Sequence, residues 1–113
     1  MTRTVSGFVS LPPDAPTGPA NRLLVEVRDV SRADAPSTVV GAQIQSDIPL
    51  APGGRVPFSV KVPDLDPTAS YGLRVHVDVA GTEIVEAGDL ISTQATPVMA
   101  ESADGMIAPV TVV

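Results

Sequence analysis

The sequence has no cysteine and no tryptophan, and it has few aromatic or basic residues. Without cysteine, disulfides, thiolate metal sites and a cysteine nucleophile are excluded. The seven basic residues are scattered singly among 13 acidic ones, which gives a formal net charge of −6. Nucleic acids and anionic membrane surfaces both attract clustered basic residues. No stretch approaches the roughly 18 apolar residues of a membrane-spanning helix. We therefore expect no nucleic-acid partner and no membrane insertion.

The first residues also lack the marks of a secretory leader. Residues 1–7 read MTRTVSG and contain no apolar run, whereas a signal peptide carries an apolar segment of about 7–15 residues. A lipidated N-terminal cysteine is absent as well. The sequence as written therefore predicts a cytoplasmic protein, or a protein of the cell envelope if a leader was removed.

The residues that are abundant favour strands. Hydrophobic residues make up 43% of the 113 positions, and many of them are valine. Valine packs well on a pleated sheet and loses side-chain freedom in a helix. Twelve prolines and nine glycines interrupt the chain at short intervals, which is typical of short strands joined by turns. A chain of this length and composition predicts one domain, residues 1–113.

Alternation of apolar and polar residues locates the strands. It predicts strands at about residues 4–10, 22–30, 38–46, 55–62, 70–79, 83–86 and 107–113, with no clear pattern near 89–106. In the third strand Val40, Ala42 and Ile44 share one face, opposite Gln43 and Gln45. Such regular spacing predicts an all-β fold, a single-domain antiparallel β-sandwich of seven or eight strands with Greek-key, immunoglobulin-like topology.

A local motif supports this fold class. Leu65, Pro67 and Tyr71 form a Leu-x-Pro-x-x-x-Tyr pattern directly before a strong strand. In the tyrosine corner of Greek-key sandwiches, a tyrosine at the start of a strand bonds its hydroxyl to the backbone a few residues upstream. The pattern predicts a structural corner at these three residues.

A second motif resembles a known family. Residues 24–36 read LVEVRDVSRADAP, residues 5–9 read VSGFV, and residues 11–13 read LPP. Together with PF at 57–58, DPTASY at 66–71 and GLRV at 72–75, these segments resemble the YbaY/YscW-type lipoprotein family. The resemblance covers about residues 5–86, and DVSRADAP is its most specific part.

The resemblance implies a small β-sandwich of the cell envelope. In the pilotin branch of type III secretion, members bind a secretin subunit and guide its assembly. We therefore expect a non-enzymatic interaction module that binds an extended peptide or protein partner. The expected mode is strand addition at a sheet edge, with candidate edges at residues 11–20 and 89–105.

The most family-specific segment has two interpretations. Asp29, Ser31 and Asp34 have short side chains that cap turns by accepting backbone N–H bonds, and Pro36 stiffens the exit. The same four residues could instead form a surface for the partner. The sequence leaves both interpretations open.

Three alternatives compete with the interaction module: a ligand-binding or metal-binding protein, a small hydrolase, and a structural oligomer joined edge to edge. Acidic loops near Asp64, Asp66 and Asp89 could bind Ca²⁺ or a small ligand, although no Asp-rich calcium loop is present. A small hydrolase could use His76, the only histidine, with Asp78 or Glu83. The strand pattern instead places His76 on a solvated polar face. We expect no cofactor, no metal and no catalytic residue.

Overall fold

The computed structural model describes residues 2–31, 37–82, 84–92, 96–98 and 105–113. Within these residues there are strands and no helix. The strands are β1 (Thr2–Ser10), β2 (Gly18–Asp29), β3 (Thr38–Leu50), β4 (Arg55–Pro63), β5 (Tyr71–Asp78), β6 (Leu90–Ile91), β7 (Thr96–Val98), β8 (Met106–Pro109) and β9 (Thr111–Val112). The predicted all-β class is confirmed. The described residues hold nine strands, against the seven or eight expected.

The strands form two sheets. One has three strands in the order β4-β1-β8, and the other has six, in the order β3-β2-β5-β6-β9 with β7 also paired to β5. All pairs are antiparallel except β1 and β8, which run parallel. The chain passes from one sheet to the other between β8 and β9. The Greek-key assignment stays a prediction.

The core lies between the inner faces of the two sheets, as in other sandwiches. In β4 every second side chain is buried, and β2 and β5 contribute the opposite face. The residues of the core that β1, β2, β4, β5 and β6 contribute are Val5, Val9, Leu23, Val25, Val27, Val56, Phe58, Val60, Val62, Leu73, Val75, Val77 and Leu90. The alternating valines of the sequence are therefore the main source of buried apolar area.

One predicted strand, at residues 83–86, is wrong. Residues 84–86 have no strand structure, and residue 83 lies outside the described residues. The buried carboxylate of Asp78 accepts the N–H groups of Gly81 and Thr82 at 2.8 and 3.2 Å. These bonds close a turn, and the chain continues as a loop to β6.

The structure decides which face of β3 turns inward, a point that the alternation of the sequence leaves open. Ile44 is 60% exposed, while Gln43 and Gln45 point toward β4 and are half-buried. Asp47 has a positive φ of 54°, which aspartate tolerates better than most residues. Beyond it the buried positions shift by one, so that Ile48 is in the core. A shift of one residue exchanges the two faces of a strand.

No helix in the described residues has the length and apolarity required to cross a membrane.

Candidate functional site

Strand addition needs a sheet edge whose backbone groups are accessible, and the edges of the two sheets differ in this respect. The edge of β4 is engaged by side chains of β3. Gln45 Nε2 donates to the carbonyl oxygen of Pro57 at 2.9 Å, and Gln43 Oε1 accepts the N–H of Ser59 at 2.8 Å. Pro57 has no N–H to offer a ladder. The outer edge of β4 is therefore partly satisfied by the protein itself.

Three further edges are short. In the described residues β7 has three residues and includes Pro97, β8 has four and includes Pro109, and β9 has two. Proline removes a ladder donor, and short strands with proline are common ways of protecting a sheet edge. These strands offer little backbone to a partner.

The edge of β3 differs from all of these. The strand is 13 residues long and, in the described chain, pairs only with β2. From Thr38 to Ser46 it contains neither a charged residue nor a proline. Val39 is 42% exposed and Ile44 is 60% exposed. Natural edge strands are usually protected by charge, proline or brevity, so a long, uncharged, exposed edge is the strongest candidate for a binding site.

The two predicted edges do not have this character. Within residues 11–20, Gly18, Pro19 and Ala20 belong to β2 and pair with β3. Residues 11–17 form a loop in which the N–H groups of Leu11 and Ala15 donate to Gly54 O at 2.8 Å and to Pro12 O at 3.1 Å. Of residues 89–105, positions 93–95 and 99–104 lie outside the described residues; in the rest, β6 is paired on both sides and β7 is short. The sequence carries one signal that distinguishes β3 as a candidate binding edge, the absence of charged residues between positions 38 and 46.

The structure shows the positions of the three residues of the predicted corner, Leu65, Pro67 and Tyr71. The Tyr71 hydroxyl accepts the N–H of Asp66 at 2.9 Å, Leu65 is buried, and Pro67 is exposed. Asp66 caps the same turn, because its carboxylate accepts the hydroxyl and the N–H of Thr68 at 2.7 and 2.8 Å. These two bonds lower the pKa of Asp66. The structural role of the corner stays a prediction.

The visible part of the family-specific segment lies against this corner. Asp29 Oδ1 accepts the N–H of Ser31 at 2.9 Å, and Ser31 Oγ accepts the N–H of Ser70 at 2.9 Å. Asp34 and Pro36 lie outside the described residues. Asp29 and Ser31 therefore make local contacts that connect the end of β2 to the start of β5.

The structure contradicts the solvated position predicted for His76. The side chain is 9% exposed, and its Nε2 bonds to Asp89 Oδ2 at 3.0 Å. Asp89 is 1% exposed and also accepts the N–H groups of Val79 at 3.0 Å and Glu86 at 3.1 Å. The loop after β5 folds back over the outer face of the sheet and buries His76. This contact joins residues 13 positions apart, which strand periodicity does not encode.

The hydrogen bonds to the Asp89 carboxylate stabilise its ionised form. Burial raises the pKa of Asp89, but hydrogen bonds from His76, Glu86 and Val79 outweigh this effect and leave the pKa below its usual value of 3.8. A carboxylate that accepts several N–H bonds is favoured in its ionised form. Asp89 therefore acts as the anchor of the loop.

Among the described residues, one group of three candidate metal ligands comes together. His76, Asp78 and Asp89 place ligand atoms within 4.8 Å of one another. Backbone N–H groups already bond to both carboxylate oxygens of Asp89 and to Oδ1 of Asp78, so a cation bound to those oxygens would have to displace these bonds. Asp64 and Asp66, proposed with Asp89 for Ca²⁺, are both exposed and belong to no such group in the described chain.

Comparison with known proteins identifies the family. Residues 1–105 match the family of type III secretion system lipoprotein chaperones, YscW. No curated protein matches the chain. A solved structure with the same fold is an alternative pilotin from the type II secretion system of Vibrio cholerae. It has a TM-score of 0.70 and 20% sequence identity, and the similarity covers 98% of each chain. The chain therefore belongs to the YscW family of secretion system lipoprotein chaperones.

Proposed function

We propose that this protein is a non-enzymatic docking module that binds an extended segment of a protein partner by adding it as a strand to the β3 edge. The observation that carries this proposal is the nine-residue stretch Thr38–Ser46, which is uncharged, free of proline and paired on one side only within the described residues. Main-chain hydrogen bonds would supply affinity, and alternate side chains would supply specificity.

The side chains of β3 are arranged for such a partner. Val39 and Ile44 are exposed and would contact side chains of the added strand. Nine extended residues span about 30 Å, enough to pair a segment of ordinary strand length. Asp47 ends the uncharged stretch with its positive φ. Within the stretch the register of β3 on β2 shifts once, between Val39 and Gly41.

The family description supports a partner from a secretion apparatus, and the pilotin-like resemblance points to a secretin subunit. On the same basis we place the mature protein in the cell envelope if it is processed.

We also propose that residues 1–113 form one domain. A single cooperative unfolding transition, coincident by circular dichroism and by tyrosine fluorescence, is the expected result.

The absence of an enzymatic role is part of the proposal. His76 is the only histidine, and its Nε2 is engaged by Asp89. The nearby Ser92 hydroxyl accepts the N–H of Val75 at 2.9 Å. Both groups therefore take part in holding β5 and its neighbours together.

The test measures binding of the chain to the secretin subunit of its own secretion system by isothermal titration calorimetry. Ile44→Lys places a charge on the proposed edge at an exposed position, so the fold should tolerate it. We expect affinity to fall about tenfold or more, because edge lysines oppose strand addition. Ile107→Lys on β8, also at an exposed isoleucine, is the matched control and should bind like the wild type.

The binding results of these two variants distinguish the β3 edge from the β8 edge. Equal affinity of Ile44→Lys and wild type would refute the β3 site. Loss of binding only in Ile107→Lys would move the site to β8. Absence of any binding by the wild type would refute the choice of a secretin partner.

The surface predicted at Asp29, Ser31, Asp34 and Pro36 is a separate proposal for a partner contact. Ser31→Ala removes the bond to the Ser70 N–H. A loss of affinity with unchanged stability would support a partner surface. A loss of stability with unchanged affinity would support the turn-capping interpretation.

A further inference from the structure

The outer face of the six-stranded sheet carries a groove of about 280 Å³. It lies between β2, β5, β6 and the loop that follows β5. Its lining consists of Leu24, Glu26, Arg28, Arg74, His76, Val85, Ile91 and Ser92. Ile44 is not part of this lining, but it lies beside Leu24 in the register of β2 and β3, so the groove begins one strand inward from the β3 edge.

The floor of the groove is apolar. Leu24, His76 and Ile91 stand side by side across β2, β5 and β6, as the strand register requires. Val85, 44% exposed, comes from the loop that Asp89 anchors. Three aliphatic side chains around one concavity suit an aliphatic side chain of a ligand.

The charged side chains of the groove differ in whether they already have a partner. Arg28 donates to Glu26 Oε1 at 3.0 Å and to Ser37 Oγ at 2.9 Å. Arg74 lies opposite Glu26 in the register, but Glu26 is paired with Arg28. In the described part of the chain, Arg74 is exposed and makes no ion pair. The groove thus offers one uncommitted guanidinium beside an apolar floor.

His76 adds a second polar group at this point. Its Nε2 is bonded to Asp89, whereas Nδ1 has no hydrogen-bond partner among the described residues and is not among their fully buried unpaired atoms. His76 lines the groove, and Nδ1 is its ring nitrogen without a hydrogen bond in the described part of the chain.

We propose that this groove binds a peptide segment carrying an aliphatic side chain next to an acidic side chain. The aliphatic group would pack on Leu24, Val85 and Ile91, and the carboxylate would pair with Arg74. The chain has a net charge of −6, so a site for an acidic segment requires a local excess of basic groups. Two guanidinium groups against one lining carboxylate make the groove a local exception. This site goes beyond the strand-adding edge and does not depend on it.

The test uses two blocked peptides, acetyl-Ala-Leu-Glu-Ala-amide and acetyl-Ala-Leu-Gln-Ala-amide, titrated into the isotope-labelled full chain and followed by amide chemical shifts. We expect the Glu peptide to shift resonances of Leu24, Val85 and Ile91 and to bind about fivefold more tightly than the Gln peptide. Arg74→Gln should remove this preference. Arg55→Gln, at an exposed arginine of β4, should retain it.

Three results would overturn the proposal. The first is no shift at the groove residues at any peptide concentration reached. The second is equal affinity of the wild type for the two peptides. The third is binding only of acetyl-Ala-Ala-Leu with a free C-terminal carboxylate, which would show that the groove recognises a chain terminus instead. Because Ile44 lies beside Leu24 in the register, the two sites are told apart with Arg74→Gln on β5, which changes the groove and leaves the β3 edge intact.

Discussion

Replacement of Asp89 by alanine should strongly destabilise the fold. The carboxylate accepts N–H bonds from Val79 at 3.0 Å and Glu86 at 3.1 Å and a bond with His76 Nε2 at 3.0 Å. Alanine would leave these groups without their acceptor in a largely buried site. Each buried polar group left unsatisfied costs about 1–3 kcal/mol. Because the loop can relax partly toward water, we expect a total loss of about 3 kcal/mol.

The assay is urea denaturation followed by far-ultraviolet circular dichroism, with thermal melting as a second measurement. For a domain of this size, about 3 kcal/mol corresponds to a fall in Tm of about 10–15 °C. Asp14→Ala makes the same charge change at an exposed loop position and should change stability by less than about 0.5 kcal/mol. A loss below about 1 kcal/mol in Asp89→Ala would refute the anchoring role.

The same carboxylate predicts the direction of acid sensitivity. The folded-state pKa of Asp89 is lowered below 3.8, so the ionised form favours folding. Its contribution is fully present above the unfolded-state pKa and is lost as the pH falls through the lower folded-state pKa. Between about pH 5 and pH 2 the wild type should lose more stability than Asp89→Ala. Parallel pH curves for the two proteins would contradict this assignment.

Three further predictions follow from single contacts. Tyr71→Phe removes the hydroxyl that accepts the Asp66 N–H and should cost about 1 kcal/mol in urea denaturation; an unchanged midpoint would argue against the corner. Gly41→Ala places a Cβ 2.6 Å from a backbone oxygen of β4 and should cost about 2 kcal/mol or more by overpacking; a stabilised variant would contradict this close approach. The double variant Gln43→Ala, Gln45→Ala uncovers the β4 edge and should increase self-association in light scattering, whereas an unchanged mass would indicate that the edge remains protected.

The sequence was informative where short-range patterns decide the outcome. The valines of β4 alternate with polar residues, and every second residue is buried as the pattern predicts. The predicted strand at 70–79 corresponds to β5 at Tyr71–Asp78. The family resemblance rested on contiguous motifs, and the family match over residues 1–105 confirms it. Such features depend on residues close in the chain, so they can be recognised without knowing which strands pair.

Errors arose where long-range pairing decides the outcome. The alternation in β3 separates its two faces but does not say which one is buried. Gln43 and Gln45 turn inward because they bond to the edge of β4, and Asp47 shifts the pattern beyond them. His76 alternates like a solvated residue, yet the loop carrying Asp89 folds over it.

The sequence by itself determined that this protein is built from valine-rich strands, lacks thiol chemistry and carries family motifs, because composition and local periodicity contain that information. Only the tertiary structure decided that β3 is the long uncharged edge, that His76 is buried against Asp89, and that Arg74 stands beside an apolar groove. These features depend on which strands become neighbours and which loops cover them. Sheet pairing brings together residues far apart in the chain, and no single segment specifies its partner.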